Sequence, residues 1–532
     1  MQFDKRLEPT PATAAHWERV GMQRRHGVLA PLFSLRSETS VGIGDVADLE
    51  RLVDWCVEIG ATVVQLLPLF DLGPDSAPYG AISAFANDPV YIALDRVPAV
   101  RASRELKAEL AAARSALEGA ARIPYPQVRA AKMAILEAAF ELDRERLAEA
   151  PDYQAYVTEQ AHWLDDYALF RTLREHHHWR SWEDWGAGFE SPSARRAFSS
   201  KHAARLDFHR YHQWLLDGQL MAARDYAAQR GVLLKGDIPI LVGRDSADVW
   251  CRPQLFRLDT EAGAPPDYYS RDGQVWGFPT YDWGALWEDD CRFWRWRLAH
   301  AERFFDLYRV DHVVGLFRIW TVPRGARHGR DGMFVPSDEE RWGDHGQRIL
   351  TMMLEASTML PLAEDLGTIP DVCRATLREL GICGTKVVRW ERRWHGDGGF
   401  IPPSEFHPLS LTTLSTHDTE TLRGWWKHHP DDRQLFWESL GGTGRAPEVM
   451  SREIQLECLA QTAQGGSLFV IHLLQDLLSP FGLLCADPDD DRINVPGTVG
   501  SHNWTWRLPF GLERLIADDP LNSRLERVLR RH

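Results

Sequence analysis

The sequence has 532 residues, of which 44% are hydrophobic and 26% are charged, and its formal net charge is −15. This composition supplies a large apolar core and excludes a chain that is disordered over most of its length. The negative charge and the lack of a Lys/Arg-rich stripe argue against nucleic acid and anionic membranes as partners. No stretch approaches the roughly 20 apolar residues of a membrane-spanning helix, and MQFDKRLEPT lacks the apolar centre of a signal peptide. We therefore expect a cytoplasmic protein.

The cysteine and tryptophan contents narrow the class of protein further. The seven cysteines are odd in number and form no C-x-x-C pair, which favours reduced thiols over disulfides or structural zinc. Tryptophan occurs 22 times against 12 tyrosines. Indole rings stack well on the apolar C–H face of a pyranose, although most tryptophans in any protein belong to its core. The count is a hint of sugar binding and no more.

The first hundred residues contain a strand, a helix and a second strand. Segment 28–35 (VLAPLFSL) is an apolar strand candidate, and ATVVQLLPL at 61–69 is another. Between them Asp45 is placed to cap a helix whose apolar residues share one face. A βαβ unit of this kind predicts a parallel sheet.

Six more strand candidates follow, most of them separated by helical patterns. Eight strands that are this apolar must be covered on both faces, which predicts a closed α/β barrel of the (β/α)₈ TIM type rather than an open sheet. The six segments are 232–240, 305–310, 358–365, 385–390, 411–416 and 467–474.

An Ala/Glu/Arg-rich region interrupts this alternation, and we interpret it as a large helical insertion. The predicted organisation is an N-terminal part of the catalytic barrel at 1–99, a mostly helical insertion at 100–226, and the remainder of the barrel at 227–532. The last segment ends in LNSRLERVLRRH, which is typical of a closing surface helix.

Three acidic residues lie where predicted strands end. Asp311 ends LYRVD, Glu364 lies in PLAED, and Asp418 follows LSTH. Reactive groups of a (β/α)₈ barrel lie where strands end and βα loops begin, so these carboxylates are expected to meet at one rim. Acids at strand ends also cap helices, and for one acid alone that interpretation is equally good. Three together favour a site.

A carboxylate pair is the requirement for cleaving a glycosidic bond. The transition state resembles an oxocarbenium ion, so one carboxylate meets its positive charge while a carboxylic acid protonates the departing oxygen. When the two stand about 5–5.5 Å apart, the carboxylate attacks directly and a covalent glycosyl-enzyme forms. The glycosyl group of this intermediate can then be transferred to another sugar with retention of configuration.

Segments LYRVDHVVG, PLAEDLGTI and LSTHDTETLRGWW resemble the three catalytic motifs of the amylomaltase or disproportionating-enzyme family, glycoside hydrolase family 77. Four further segments also resemble family motifs. Among them, GAPPDYYSRDGQVWGFPTYDW, read with YRVDHVVGLFRIW, is most similar to the plant cytosolic maltose-transferring type. The other three are SAPYGAISAFANDPVYIAL, KGDIPILVGRDSADVW and INVPGTVGSHNWTWRLP.

The resemblance implies a 4-α-glucanotransferase and assigns roles to matching positions. Asp311 corresponds to the nucleophile, Glu364 to the general acid and then base, and Asp418 to the third carboxylate, which binds sugar hydroxyls. Arg309 lies two residues before Asp311, so the period-2 rule places both side chains on one face, where the arginine keeps the carboxylate ionised. A surface arginine is a weak alternative within an apolar strand.

The resemblance also implies sugar-binding residues beside the acids. His312 and His417 match positions that line the donor subsite and can donate hydrogen bonds without being charged. A lone histidine at a strand end is more often a structural hydrogen-bonding group. Asp237, in KGDIPI, is expected at another strand end with a sugar-binding or supporting role, and helix capping is nearly as good an interpretation.

Two further segments match residues around the cleaved glucose. Tyr79 in SAPYG resembles a stacking platform. Asp267 and Trp276 match a loop that covers the acceptor side and limits water. Core packing is the default for a tryptophan, but the Gly/Pro-rich surroundings of Trp276 are typical of an exposed functional loop.

No metal or other cofactor is predicted. The consecutive histidines 176–178 point in different directions in any regular structure, which favours a solvated turn over a metal site. The acidic run 487–491 lacks the spaced ligands and the glycine of an EF-hand loop.

The expected partners are malto-oligosaccharides, maltose, glycogen or another α-glucan. Three alternatives remain at this point. A plain α-glucan hydrolase shares every acid and differs in whether water or sugar reaches the intermediate. A non-catalytic barrel that only binds glucans is disfavoured because all three acids are intact. A metal-dependent barrel enzyme is disfavoured because no spaced set of histidine ligands occurs.

Overall fold

The computed structural model describes residues 8–186, 189, 191–266, 270–498 and 500–530. Its central feature is an eight-stranded parallel sheet. We label the strands β1 (Arg25–Leu29), β2 (Val63–Gln65), β3 (Leu233–Ile238), β4 (Leu307–Val310), β5 (Leu360–Ala363), β6 (Gly384–Val387), β7 (Ser410–Thr413) and β8 (Phe469–Leu473).

The sheet closes on itself. Each strand pairs with its neighbours in chain order, and β1 pairs with β8. The two edges, β5 and β6, meet through a parallel bridge between Leu362 and Cys383, and the N–H of Ala363 donates to the Cys383 carbonyl at 2.7 Å. The predicted (β/α)₈ barrel is therefore confirmed.

The predicted bounds of the first strand, 28–35, are wrong at both ends, because β1 spans Arg25–Leu29. Strand β1 ends at Leu29, and residues Leu32–Ser34 form a short 3₁₀ helix. Pro31 has no N–H to continue the ladder, and its carbonyl accepts from the Ser34 N–H at 3.0 Å instead. Leu32 and Phe33 are nevertheless fully buried. The apolar run therefore reflects burial and not strand length.

Helices cover the outside of the barrel and form the large connection between β2 and β3. We label them in chain order α1 (Ala14–Val20), α2 (Val46–Glu58), α3 (Pro98–Ala102), α4 (Arg104–Leu117), α5 (Tyr125–Leu147), α6 (Pro151–Glu159), α7 (Ala161–His176), α8 (Pro192–Lys201), α9 (Ala203–Gln229), α10 (Ala247–Cys251), α11 (Trp283–Glu288), α12 (Arg292–Ala301), α13 (Trp342–Ala356), α14 (Asp371–Leu380), α15 (Leu422–His428), α16 (Pro430–Ser439), α17 (Arg452–Ala463), α18 (Leu474–Leu478), α19 (Leu512–Ile516) and α20 (Asp519–Leu529).

Helix α2 begins where the sequence predicts. The Asp45 carboxylate accepts from the Ala47 N–H at 3.0 Å, and the Asp48 carboxylate accepts from the Asp45 N–H at 2.9 Å. These bonds satisfy donors that every helix N-terminus leaves without an intrahelical partner. The apolar face of the helix is buried, and α2 contacts α9, which leads directly into β3.

Small antiparallel sheets lie in the connections that follow β3 and β4. One contains strands Thr260–Ala264, Gln274–Val275, Ile319–Pro323 and Met333–Val335, and the other pairs Phe256–Arg257 with Thr280–Tyr281. Within the described ranges no helix is both long and apolar enough to cross a bilayer.

Two glycines test how tightly the barrel is packed. A Cβ added to Gly27 in β1 would lie 2.7 Å from the Val63 carbonyl oxygen, whereas one added to Gly218 in α9 would meet no atom within 4 Å. We expect Gly27→Ala to lower the free energy of unfolding by about 1–3 kcal/mol and Gly218→Ala to raise it by about 0.5–1 kcal/mol. Denaturant unfolding of both variants checks this, and equal effects would contradict the close approach of β1 to β2.

Candidate active site

The C-terminal ends of neighbouring strands bring three carboxylates to one rim of the barrel. Asp311 follows β4, Glu364 follows β5, and Asp418 lies in the loop after β7. The Glu364 N–H donates to the Val310 carbonyl at 3.0 Å, and the Val313 N–H donates to the Glu364 carbonyl at 3.2 Å. These bonds extend the pairing of β4 with β5 and hold the first two acids side by side.

A single buried guanidinium group joins three of the site's carboxylates. Arg309 Nη1 lies 2.9 Å from both oxygens of Asp237 and 2.9 Å from Asp311 Oδ1. Its Nη2 lies 2.8 Å from Glu364 Oε2. Burial alone would lower the pKa of Arg309, but the surrounding carboxylates raise it well above its ordinary value. The arginine is therefore a fixed positive charge.

Tyr79 and His417 connect the Arg309 cluster to Asp418. The Tyr79 hydroxyl donates to Asp237 Oδ2 at 3.0 Å, and its oxygen lies 2.9 Å from His417 Nε2. The same ring nitrogen lies 3.2 Å from Asp418 Oδ2. Because the tyrosine proton points to Asp237, we infer that His417 Nε2 carries a hydrogen. A continuous polar network thus runs from Arg309 to Asp418.

Asp418 has a further partner that sequence reasoning missed. Asn494 Nδ2 donates to Asp418 Oδ1 at 2.7 Å. Burial alone would raise the pKa of Asp418, but His417 and Asn494 hold it well below its usual range. Asn494 belongs to the segment INVPGTVGSHNWTWRLP, which signals a functional loop but does not indicate which carboxylate the asparagine contacts.

Aromatic rings line the same part of the site. Tyr79 and His417 are stacked with ring centroids 5.8 Å apart. Trp504, to which the sequence analysis assigned no role, contacts both rings at 6.0 and 6.1 Å. These rings form an aromatic surface next to Asp418.

Asp311 and Glu364, two of the three carboxyls that Arg309 joins, differ in their affinity for a proton. Burial raises the pKa of Asp311 well above its usual range, and the nearby Glu364 adds to the effect. Burial would also raise the pKa of Glu364, but Arg309 and the backbone N–H of His312 lower it below its ordinary value. That N–H donates to Glu364 Oε2 at 2.8 Å. In the unliganded site, negative charge is therefore favoured on Glu364.

His312 adopts a backbone conformation that directs its N–H toward Glu364. Its φ is 40°, in the left-handed region that is uncommon for residues other than glycine. Burial lowers the pKa of its imidazole, so the ring is neutral at ordinary pH. Trp276, which is half-buried, meets this ring edge-on with centroids 5.1 Å apart. The predicted partner on the Trp276 loop, Asp267, lies outside the described residues.

A buried lysine lies one step deeper in the barrel. Lys235 on β3 donates to Gln65 Oε1 at 2.9 Å, and burial, with the charge of Arg309, lowers its pKa to about 7. The period-2 rule places Lys235 on the same face as Asp237. The segment KGDIPI contains both residues, but only its aspartate was predicted to contribute to the site.

Histidines 176–178 and the acidic run 487–491, neither of which was predicted to bind a metal, have other partners. His176 packs against His177 and Phe198, and Asp487 and Asp489 pair with Lys427 at 2.8 Å each. Among the described residues no group of three or more His, Cys, Asp and Glu side chains is placed to hold a metal ion.

A closed (β/α)₈ barrel with carboxylates at the ends of β4, β5 and β7 has the groups that cleavage of a glycosidic bond requires. Comparison with known proteins agrees with this class. The family model of 4-alpha-glucanotransferases, glycoside hydrolase family 77, matches residues 30–513.

Named relatives extend over nearly the whole chain. The 4-alpha-glucanotransferase of Chlamydia caviae is 36% identical over 98% of this chain and 97% of its own length. The 4-alpha-glucanotransferase DPE2 of Oryza sativa is 26% identical over 95% of this chain and 69% of the rice protein.

Solved amylomaltase structures share the fold. The protein from Corynebacterium glutamicum superposes with a TM-score of 0.82 at 25% identity, covering 98% of this chain and 77% of that chain. The protein from Streptococcus agalactiae superposes with a TM-score of 0.81 at 24% identity, covering 96% and 99%.

The chain therefore belongs to glycoside hydrolase family 77, the 4-alpha-glucanotransferases. The activity predicted from the sequence is confirmed, and the alternative of a plain hydrolase is not favoured.

Replacing Arg309 tests the electrostatics of the site. Its charge lowers the pKa of both Asp311 and Glu364, so Arg309→Gln should raise them. As the pH is lowered, the carboxylate that the reaction needs then becomes protonated sooner than in the wild type. We therefore expect the acidic limb of the kcat/KM profile to move to higher pH by about 1–3 pH units. Arg309→Lys keeps the charge and is the matched control. An unmoved acidic limb in Arg309→Gln, with the folded state verified by circular dichroism, would contradict this account.

Proposed function

We propose that the enzyme moves a glucosyl unit or glucan segment from a malto-oligosaccharide donor to another glucan or to glucose by a retaining double displacement. Maltose, longer malto-oligosaccharides and glycogen-type α-glucans are the proposed substrates. One observation carries this proposal: Arg309 contacts both Asp311 and Glu364, so these carboxyls face the same small space. The Streptococcus agalactiae amylomaltase was solved with acarbose, which supports a saccharide-binding cleft here.

In the first half-reaction, Glu364 protonates the glycosidic oxygen while Asp311 attacks the anomeric carbon. The C–O bond to the leaving sugar breaks, a bond from carbon to the Asp311 oxygen forms, and the leaving sugar departs with the proton. Direct attack requires carboxyls about 5–5.5 Å apart. Asp311 contacts Nη1 of Arg309 and Glu364 contacts Nη2, an arrangement that suits this spacing.

In the second half-reaction, the 4-hydroxyl of an acceptor sugar attacks the glycosyl-enzyme. Glu364, now ionised, takes the hydroxyl proton, and Asp311 leaves as a carboxylate. The two inversions together retain the α configuration. The site returns to its starting charge with the proton again on Glu364.

Donor binding must first redistribute the proton between the two acids. The unliganded site favours negative charge on Glu364, whereas the reaction begins with a protonated Glu364. A glycosidic oxygen next to this group accepts a hydrogen bond from its neutral form and so raises its pKa. The anomeric carbon, as it gains positive charge, favours the ionised form of Asp311. The substrate itself therefore completes the reactive arrangement.

The remaining residues hold the sugar and support the acids. Asp418 keeps its charge because its pKa is held low, so it accepts hydrogen bonds from sugar hydroxyls. Tyr79 supplies the stacking surface, and His417 donates beside it. The Asp237 carboxylate is already bonded to Arg309 and Tyr79, which favours a supporting role over sugar binding.

The acceptor side is assigned to the loop that contains Asp267 and Trp276. Trp276 packs against His312, which neighbours Asp311. We propose that this loop covers the intermediate and keeps water from it until an acceptor sugar arrives. Transfer rather than hydrolysis depends on that exclusion.

Incubation with maltotriose tests the proposed transfer. We expect a ladder of shorter and longer malto-oligosaccharides, because the enzyme-bound sugar passes to another sugar. Glucose and maltose alone would contradict the proposal. Asp311→Asn removes the nucleophile with almost no change in shape, so it should abolish the ladder while the variant still folds, as its circular dichroism spectrum would show. Near-normal activity in this variant would overturn the role of Asp311.

Glu364→Gln tests the acid and base role separately. Loss of a general acid or base costs about 10²–10⁴-fold in rate. An activated donor such as an α-glucosyl fluoride needs no proton on its leaving group, so it should recover most of the first half-reaction. We expect a burst of released fluoride from the variant. Equal losses with ordinary and activated donors would contradict the assignment.

A further inference from the structure

Two tryptophans beside the active site are unusually exposed. Trp394 is 66% exposed and Trp390 is 37% exposed, and no other described tryptophan is among the exposed large hydrophobic residues. Both follow β6, so they leave the barrel at the rim that also carries Asp311, Glu364 and Asp418. Exposure of two indole rings at this position calls for a physical reason, because tryptophan is ordinarily buried.

Trp394 lies near the tip of a short hairpin. Arg392 pairs with Phe400 in an antiparallel bridge, and the Ile401 N–H donates to the Glu391 carbonyl at 2.9 Å. Gly398, near the turn, has a φ of 71°, which glycine adopts without strain. The hairpin therefore has a defined backbone geometry.

Arg392 supports the exposed indole from one side. Its guanidinium carbon lies 4.7 Å from the centroid of the Trp394 ring. The same guanidinium donates to Asp432 Oδ1 at 2.7 Å and to the Gly398 carbonyl at 2.8 Å. A cation held in place at one face of an aromatic ring fixes the ring. The rest of the indole is open to solvent.

The root of the hairpin is attached to the loop that carries Asp418. The buried Arg389 donates through Nη2 to the Glu420 carbonyl at 2.6 Å, two residues after Asp418. Lys386, on β6, pairs with Glu391 at 3.2 Å. These contacts fix the position of the hairpin relative to the carboxylates, so its tip is an extension of the same rim.

We propose that Trp390 and Trp394 form an accessory binding surface for an α-1,4-glucan chain, where they contact glucose units beyond those at the cleaved bond. An indole face matches the apolar C–H face of a pyranose. Arg393, His395 and Asp397, which neighbour Trp394 in the chain and are exposed, carry groups of the kinds that bond sugar hydroxyls. This inference rests on the proposed glucan substrate and adds to it a site that selects long chains.

The composition of the surface favours a sugar over a protein partner. A protein interface buries a contiguous apolar centre, whereas here single indole rings are set among charged side chains. The cleft is already expected to bind an α-glucan, and this surface lies on the same rim of the barrel, where a chain longer than the cleft can extend.

The test compares substrates of different length. Loss of one stacking contact corresponds to about a threefold to tenfold change in an equilibrium constant. For Trp394→Ala we therefore expect the ratio of kcat/KM for maltoheptaose to that for maltotriose to fall about threefold to tenfold. KM for maltoheptaose should carry most of this change. Trp394→Tyr keeps an aromatic face and should recover most of the ratio.

A matched control and a binding measurement separate the possible outcomes. Leu142→Ala removes another exposed apolar side chain, 63% exposed and on α5, and should leave the ratio unchanged. In the Asp311→Asn background, Trp394→Ala should weaken maltoheptaose binding by calorimetry to a similar extent. An equal loss for both substrate lengths, or no loss for either, would overturn the accessory surface. Failure of the wild-type enzyme to form any ladder would instead overturn the proposed function.

Discussion

Burial of one guanidinium group among carboxylates is the interaction on which the site depends. A buried charge is costly unless it is paired and hydrogen-bonded. Arg309 meets this condition through Asp237, Asp311 and Glu364 together. The converse also holds, since the positive charge offsets the repulsion among three carboxylates that lie close together. Arg309 on β4 thus contacts three of the acids at once and lowers the pKa of both Asp311 and Glu364 against the effect of their burial.

The barrel makes this arrangement possible through strand register. Asp237 on β3 and Leu362 on β5 are both aligned with Arg309 on β4. From this position the long side chain of Arg309 contacts Asp237 on the neighbouring strand β3. It also contacts Asp311 and Glu364, which follow the C-terminal ends of β4 and β5. Asp237, Asp311 and Glu364 therefore need no flexible loop to meet, because neighbouring parallel strands already hold them.

Sequence reasoning predicted those features that depend on local pattern. Apolar runs indicated the eight barrel strands, and Asp45 marked the start of α2. It could not predict contacts between distant segments. The bond from Asn494 to Asp418 joins two loops, and the exposure of Trp394 contradicts the ordinary behaviour of tryptophan. The end of β1 before Pro31 could have been predicted from the sequence, because proline has no N–H to donate to a neighbouring strand.

The charge distribution of the unliganded site bears on the choice between transfer and hydrolysis. With negative charge favoured on Glu364, Asp311 is the more protonated of the two acids and is therefore weak in its proposed role as nucleophile. On the proposed roles, only a bound glycosidic oxygen reverses this preference. In the proposed glycosyl-enzyme, an acceptor hydroxyl at the position of the departed sugar likewise supplies the proton that Glu364 takes in its proposed role as base. A sugar held by several contacts occupies that position longer than a water molecule does, so a site that is completed by its substrate favours transfer.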